Sequence, residues 1–143
     1  MSIQDLIDDF AFLDDWEERY RYVIELGRDL EPLSAAEHSS ENKVQGCVSQ
    51  VWLVSEVRPG PDGAPRLHFR GDSDAHIVRG LIAILMRLYS GRTPAEILAA
   101  EPRAVFARLG LDEHLTPQRS NGLYSMVARI EADAKAHLAP AGP

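Results

Sequence analysis

Apolar residues recur every three or four positions over the first part of the chain, which is the spacing of one face of an α-helix. One helix is predicted to begin just after Ser2, with Asp5 completing a weak capping pattern. A second helix is predicted to begin near Asp14 and Asp15, whose carboxylates suit the positive end of a helix dipole. Gly27 is a natural stop for this second helix, because glycine often ends helices.

The pattern changes after a connecting stretch at 30–41. From 48 to 57 apolar residues occupy both alternating positions, a pattern typical of a strand covered on both faces. The stretch 58–63 ends in Asp-Gly, and its composition predicts a hairpin turn. Beyond the turn, Leu67 and Phe69 alternate with polar neighbours, which predicts the returning antiparallel strand.

A long and almost wholly apolar helix is predicted next, from a cap at Asp72 or Ser73 to position 89 or 90. A helix that is apolar nearly all round belongs at the centre of a core. Gly80 inside it costs roughly 1 kcal/mol relative to alanine, and close packing against a neighbour would explain its presence. Thr93 begins a further helix, with proline at the first helical position and Glu96 completing a capping box.

Short helices follow, with breaks near Pro102 and Gly110, and a last helix is predicted to begin near Ser120 or Asn121. The tail 140–143 is predicted to fray. Helices, a small antiparallel sheet and further helices in this order are typical of an α+β protein. We therefore expect residues 1–143 to form a single α+β domain in which a small antiparallel sheet packs against several helices.

Charge and hydropathy limit the function classes. The formal net charge of −7 argues against nucleic acid, because phosphate binding depends on clustered Lys and Arg, and here they are scattered among acids. The longest apolar run, at 77–89, contains two arginines and is too short to span a bilayer. The N-terminus shows no signal-peptide pattern. The sequence thus predicts a cytoplasmic protein that binds neither nucleic acid nor membrane.

Cys47 is the only cysteine, so neither an internal disulfide nor a multi-thiolate metal site can form. It follows Gly46 at the predicted junction between a loop and a strand. A single cysteine is most often a small buried hydrophobe. At such a junction, however, a thiolate can attack sulfur or carbon, or carry a persulfide. Spacing alone does not choose among these reactions.

Other polar residues have structural explanations beside the functional ones. His68 and His76 can approach the cysteine across the sheet, but surface or capping roles are the better explanation. Asp72 and Asp74 resemble a carboxylate pair for acid–base chemistry, and helix capping explains them better. Arg119 precedes a predicted helix start, where a cation is mildly unfavourable, so a specific partner and a surface salt bridge are equally good explanations.

With these residues identified, the chain closely resembles the SufE family of sulfur-acceptor proteins over nearly its whole length. The most specific element is the Gly-Cys-x-Ser-x-Val-Trp core. Val48 stands where a polar residue is more usual, which leaves the chemistry intact. The matching segments are Asp15-Trp16-Glu17-Glu18-Arg19-Tyr20 with Leu26-Gly27; Asn42-x-Val44-x-Gly46-Cys47-x-Ser49-Gln50-Val51-Trp52; Asp72-Ser73-Asp74-Ala75 with Gly80-Leu81; Tyr89-x-Gly91-x-Thr93-Pro94; and 115–123.

The resemblance implies a SufE- or IscU-like fold and a sulfur carrier rather than a classical enzyme. Cys47 would take persulfide sulfur from a SufS- or CsdA-like cysteine desulfurase and stimulate that enzyme. The sulfur would then pass to an iron–sulfur cluster scaffold of the SufBCD kind. Pyridoxal phosphate would belong to the desulfurase, so this chain is expected to hold no cofactor and no metal.

The resemblance also implies that the cysteine is shielded at rest, on a loop that moves outward when the desulfurase docks. Asn42, Gly46 and Ser49 would shape this loop. Arg119 would lie near it, to position the loop or to favour the thiolate, and Asp74 would lie close by.

Two other function classes stay open on the sequence. A stand-alone enzyme with a cysteine nucleophile would need a general base near Cys47, and the local motif contains no histidine. A partner-binding adaptor with an inert thiol predicts that Cys47→Ala changes nothing except stability.

Overall fold

The computed structural model describes residues 2–47 and 49–138 of the chain. These residues contain seven α-helices and one two-stranded antiparallel sheet. This arrangement confirms the predicted α+β class. Val48 and the predicted fraying of 140–143 lie outside the described residues. The first strand begins at Val51, and Ser49 and Gln50 do not belong to it, so the predicted strand start near 48 is too early. The elements are α1 (Ile3–Ala11), α2 (Trp16–Arg28), β1 (Val51–Pro59), β2 (Pro65–Ser73), α3 (His76–Tyr89), α4 (Pro94–Ala99), α5 (Pro102–Leu109), α6 (Leu111–His114) and α7 (Pro117–Ala136).

The first two helices begin where their capping residues predict. The Ser2 hydroxyl accepts a hydrogen bond from the Asp5 N–H at 3.1 Å, and the Asp5 carboxylate accepts one from the Ser2 N–H at 3.2 Å. This reciprocal capping box satisfies two backbone donors that the helix cannot pair internally. At α2 only one such bond is present, because the Asp15 carboxylate accepts from the Glu18 N–H at 2.9 Å.

Gly27 does not stop α2, and this prediction is wrong. The helix continues to Arg28, and Gly27 is buried against α3, where a Cβ would lie only 2.6 Å from the Gly80 nitrogen. A Cβ on Gly80 would in turn lie 2.0 Å from the Val23 carbonyl oxygen. The two glycines therefore let the backbones of α2 and α3 touch, which confirms the packing explanation for Gly80.

Helix α3 is the centre of the core, as its apolar pattern predicts, with ten of its fourteen residues buried. It packs against both α2 and β2. The hairpin places its inner face on this helix, since Val51, Leu53, Leu67 and Phe69 alternate along the two strands and are all buried. Over the described residues, no helix has the length and apolar character required to cross a bilayer.

The predicted cap of α3 at Asp72 or Ser73 is wrong, because both residues still belong to β2, where Ser73 pairs with Val51. Ala75 occupies the N-cap position, and its side chain makes no capping hydrogen bond. The Asp72 carboxylate instead pairs with Arg79 one turn inside α3, at 3.2 Å. The capping explanation for Asp74 is wrong as well, since its carboxylate bonds to the loop described below.

The outer face of the hairpin is covered by residues 34–42, which we call the strap. Glu37 forms an ion pair with Arg70 on β2, through both guanidinium nitrogens. The ring of His38 packs edge-on against Trp52 of β1, with 4.7 Å between ring centroids. The strap thus half-buries the side of β1 that faces away from α3, which explains why that strand is apolar on both faces.

Glu37 gives the strap a dependence on acid pH. Hydrogen bonds from Arg70 lower the pKa of Glu37 from an ordinary 4.5 to about 2. A depressed pKa contributes stability that is present above pH 4.5 and lost as the pH falls towards 2. We therefore expect the Tm of the wild type to fall more steeply between these pH values than that of Glu37→Gln.

Differential scanning calorimetry across this range measures the difference, and Glu25→Gln is the matched control. Glu25 also forms an ion pair with an arginine, Arg28, but both side chains are exposed on α2 and neither contacts the strap. Equal pH slopes for wild type and Glu37→Gln would show that the Glu37 ion pair does not hold the strap.

Helix α7 begins at Pro117, three residues before the predicted start. Thr116 is its N-cap and accepts a hydrogen bond from the Arg119 N–H at 3.3 Å. The signal is the same Thr-Pro pair that begins α4 after Thr93. Arg119 therefore lies in the first turn of a helix and not in a turn before it.

Candidate functional site

Cys47 lies on a loop whose two flanking segments are joined by backbone hydrogen bonds. The Val44 N–H donates to the Val51 carbonyl at 2.8 Å, and the Leu53 N–H donates to the Asn42 carbonyl at 2.9 Å. Positions 45–50 lie between these two bonded segments, and we call them the Cys47 loop. The loop therefore begins and ends at fixed points on the sheet.

Gly46 shapes the loop beside the cysteine. Its φ of +88° is a left-handed conformation that residues with a side chain rarely adopt. A Cβ at this position would also lie 2.6 Å from the Ser125 hydroxyl oxygen on α7. The sequence prediction that Gly46 shapes the loop thus has two physical reasons, the turn itself and the close approach to α7.

The N-terminal side of the loop is held by two side chains. The Asn42 amide donates to the Glu37 carbonyl at 3.0 Å, which joins the strap to the loop. Arg129 of α7 donates to the Glu41 carbonyl at 2.9 Å. Both bonds use main-chain acceptors, so they restrain the path of the backbone as it enters the loop.

Asp74 holds the other end of the loop. Its carboxylate accepts a hydrogen bond from the Gln50 N–H at 3.1 Å, and its own N–H donates to the Gln50 carbonyl at 3.3 Å. Asp74 is exposed at the junction between β2 and α3. The positions between the two restrained ends of the loop are therefore 45–49.

The Cys47 thiol is half-buried and points to α7. Its Sγ lies 3.6 Å from the Gly122 carbonyl oxygen, to which the thiol can donate a weak hydrogen bond. Burial raises the pKa of the Cys47 thiol. Because the thiolate is the nucleophile, burial in the resting conformation disfavours the reactive form of Cys47.

A pocket of about 250 Å³ opens beside the thiol, and we call it the Cys47 pocket. Its walls come from β1, α3 and α7 and from the loop itself. The apolar walls are formed by Val51, Val78, Leu81, Leu123 and Met126. The polar walls are formed by Ser49, Thr116, Gln118, Arg119 and Gly122. No histidine or carboxylate of the described residues lines it.

Arg119 brings a positive charge to this pocket. Among residues 2–47 and 49–138, no side chain or carbonyl forms a hydrogen bond or ion pair with its guanidinium. Its place in the first turn of α7 is unfavourable for a cation, and no salt bridge within those residues offsets this cost. The guanidinium is therefore available to an anion that enters the pocket.

The structure thus brings Cys47, Ser49 and Arg119 together in one pocket and places Asn42 and Asp74 at the two ends of the loop. The remaining walls come from β1, α3 and α7, and sequence reasoning missed the contacts that one face of α7 makes with the loop. Their signal is the helical spacing of Gly122, Ser125 and Arg129. His68 and His76 do not line the pocket.

Removal of the Asp74 carboxylate is expected to loosen the loop. Asp74→Ala loses one hydrogen bond to Gln50, worth about 1 kcal/mol, so alkylation of Cys47 by iodoacetamide should accelerate about fivefold. Asp62→Ala is the matched control, because Asp62 accepts the same kind of bond from Ala64 in the remote hairpin turn. Equal acceleration in both variants would mean that Asp74 does not restrain the loop.

The described residues contain no group of three His, Cys, Asp or Glu side chains placed to hold a metal ion. The chemistry available at the site is therefore that of one thiol, one nearby cation and a pocket with both apolar and polar walls.

Comparisons with known proteins identify the family of the chain. A family model described as SufE, Fe-S metabolism associated domain, matches residues 4–134. An uncharacterised SufE-like protein of Rhizobium etli is 54% identical over 138 residues, which is 96% of this chain and 93% of that protein. Another, from Rhizobium meliloti, is 53% identical over 137 residues, which is 96% of this chain and 97% of that protein.

A solved structure has the same fold. The solution structure of a hypothetical protein from Thermus thermophilus matches with a TM-score of 0.74 over 95% of this chain and 97% of that one. At 20% identity it supports the fold alone. Together with the family model and the two relatives, these findings show that the chain belongs to the SufE family, which implies a sulfur-transfer partner of a cysteine desulfurase in iron–sulfur metabolism.

Proposed function

We propose that Cys47 accepts sulfur from the persulfide of a cysteine desulfurase and carries it as a persulfide. The Cys47 thiolate attacks the outer sulfur of the partner's persulfide, and a new S–S bond forms as the old one breaks. The partner's cysteine leaves as a thiolate, so the exchange needs no oxidant or reductant. Pyridoxal phosphate belongs to the desulfurase, and the step at Cys47 does not use it.

The observation that carries this proposal is the position of the Cys47 thiol against a pocket that has both apolar and polar walls and spare volume. At about 250 Å³ the pocket is several times the roughly 30 Å³ that one water molecule occupies in the liquid. It therefore has room for the outer sulfur of a persulfide. Apolar walls shelter that sulfur from reductants, and Arg119 faces the negative charge that a deprotonated persulfide would carry.

Transfer requires the loop to leave this resting position. The raised pKa of Cys47 and its contact with Gly122 disfavour the thiolate while the side chain lies against α7. Docking of the desulfurase would draw residues 45–49 outward between the two restrained ends, as an order–disorder change of a short segment. Exposure to water then removes the effect of burial, so that the thiol pKa falls towards its ordinary value and the fraction of thiolate rises.

Sulfur acceptance also explains how the chain would stimulate its partner. Removal of the persulfide sulfur frees the desulfurase cysteine for another turnover. The recipient we propose is an iron–sulfur cluster scaffold of the SufBCD kind, reached in the cytoplasm by the same exchange chemistry. A stand-alone cysteine enzyme fits less well, because the part of the pocket that the structure describes offers no general base.

Intact-mass spectrometry after incubation with a cysteine desulfurase and L-cysteine, without reductant, tests the proposal. We expect a gain of about 32 Da per sulfur on the wild type, reversed by dithiothreitol and absent when Cys47 is alkylated beforehand. No gain with an active desulfurase, although Cys47 can be alkylated, would contradict sulfur acceptance.

A further inference from the structure

The negative charge of the protein is concentrated in its first two helices. Residues 1–31 carry ten acidic and three basic side chains, a net of −7, which equals the net charge of the whole chain. The rest of the chain carries twelve of each and is neutral. One of the three basic residues, Arg19, turns inward and donates to the Leu13 and Leu109 carbonyls. The outer surface of α1 and α2 is therefore strongly acidic.

This acidic surface also carries one exposed aromatic side chain and two partly buried ones. Phe12, between α1 and α2, is 84% exposed, the highest value among the large apolar residues described. A shallow groove lined by Trp16, Glu17, Tyr20 and Arg21 runs along α2 nearby. We call Phe12 and these four residues the α1–α2 face. A large aromatic ring left in water beside an aromatic groove contributes little to the fold, and such patches commonly mark contact sites.

The α1–α2 face adjoins the Cys47 pocket. The Trp16 ring stacks on the His114 ring of α6, with 4.4 Å between centroids and 13° between planes. Thr116, only two residues further, lines the Cys47 pocket. Two residues span about 7 Å at most. A protein that reached Cys47 with an interface of ordinary size, about 800 Å² on each partner, would cover both regions.

We propose that the α1–α2 face is a second docking site for the cysteine desulfurase, which would meet it with a basic surface surrounding an apolar depression for Phe12. This inference rests on the proposed function, since it names the surface by which the sulfur donor is held. Charge selects this occupant: a second copy of the chain would present the same acidic face and be repelled, and so would nucleic acid. The aromatic side chains supply the anchor and the carboxylates supply orientation and speed of association.

The test is binding of the desulfurase, measured by isothermal titration calorimetry with Phe12→Ser and Glu17→Lys. Truncation of an aromatic anchor is expected to raise the Kd about tenfold. Reversal of the Glu17 charge should weaken binding and flatten its dependence on salt. Val57→Ser is the matched control, because Val57 is also exposed, at 46%, but lies towards the far end of the hairpin.

Persulfide formation by a low-molecular-weight persulfide, which needs no docking, separates this inference from the proposed function. If both variants accept sulfur from this donor but bind the desulfurase less tightly, the docking site is supported. If they bind the desulfurase as the wild type does, or weaken only delivery to a cluster scaffold, the docking site is overturned and sulfur acceptance stands. If the wild type binds through this face yet never gains sulfur, the proposed function fails alone.

Discussion

A Cys47→Ser protein is expected to bind the desulfurase and to accept no sulfur from it. A serine hydroxyl cannot form the S–S bond of the exchange, so the loss should be complete rather than partial. The fold should survive, because the Cys47 side chain is only half-buried and its contact with Gly122 is weak. We expect the free energy of unfolding to change by about 1 kcal/mol or less.

Such a protein should also compete with the wild type. When Cys47→Ser is added to a mixture of desulfurase, L-cysteine and wild-type chain, the rate of desulfurase turnover is expected to fall towards that of the desulfurase alone. The rate of alanine formation measures this directly, and denatured Cys47→Ser is the control. Stimulation by Cys47→Ser equal to that by the wild type would mean that the chain activates its partner without taking its sulfur.

Gly80→Ala is expected to destabilise the fold by about 3 kcal/mol, at the upper end of overpacking effects. The added Cβ would lie 2.0 Å from the Val23 carbonyl oxygen, and this neighbour is main chain that cannot rotate away. Relief would require α2 and α3 to separate along the most extensive helix–helix contact of the described chain. For a domain of this size the cost corresponds to a fall in Tm on the order of 10 °C.

Gly122→Ala provides the matched control for this prediction. Gly122 is also a buried glycine inside a helix, but its Cβ would meet its nearest neighbour, the Cys47 Sγ, at an ordinary 3.6 Å. Alanine is the better helix former by about 1 kcal/mol, so the Tm should stay level or rise. Thermal denaturation measures the Tm of both variants. Equal Tm values for Gly80→Ala and Gly122→Ala would show that the packing of α2 on α3 does not need the glycine contact.

Local signals in the sequence predicted most of the secondary structure. The capping residues Ser2, Asp15 and Thr93 lie within a few positions of the donors that they satisfy, so their effect can be recognised from the sequence alone. The same logic predicted the hairpin turn and the apolar core helix. Where two local signals competed, as at Thr116 and Ser120, the Thr-Pro pair determined the true start of the helix.

The predictions for Gly27, Asp72 and Asp74 were wrong because contacts with distant segments determine the structure at these positions. Gly27 has the local character of a helix stop, but a helix packed against Gly80 gains more from continuing than from ending there. Asp72 and Asp74 have the local character of caps. Their carboxylates are instead used by α3 and by the Cys47 loop, and neither contact leaves a trace in the local sequence.

Some residues of the candidate site could likewise be predicted from local sequence, and others are placed only by the fold. Cys47 and Gly46 could be predicted because an isolated thiol after a glycine, just before a strand, is a local feature. The residues that shelter the thiol lie some 75 positions later, on α7. Arg119 was found through its unusual position, but only the three-dimensional structure places it in the pocket with Cys47.

In the proposed mechanism, Cys47 is sheltered at rest and is delivered to the desulfurase by movement of residues 45–49. The most direct measurement is the rate of Cys47 alkylation by iodoacetamide, in the free chain and in complex with a desulfurase whose persulfide-forming cysteine is replaced by serine. We predict slow alkylation of the free chain and a rate about tenfold higher in the complex, since the loop is held by bonds worth about 1–2 kcal/mol in total. An alkylation rate that is already fast in the free chain and does not rise on docking would contradict this mechanism.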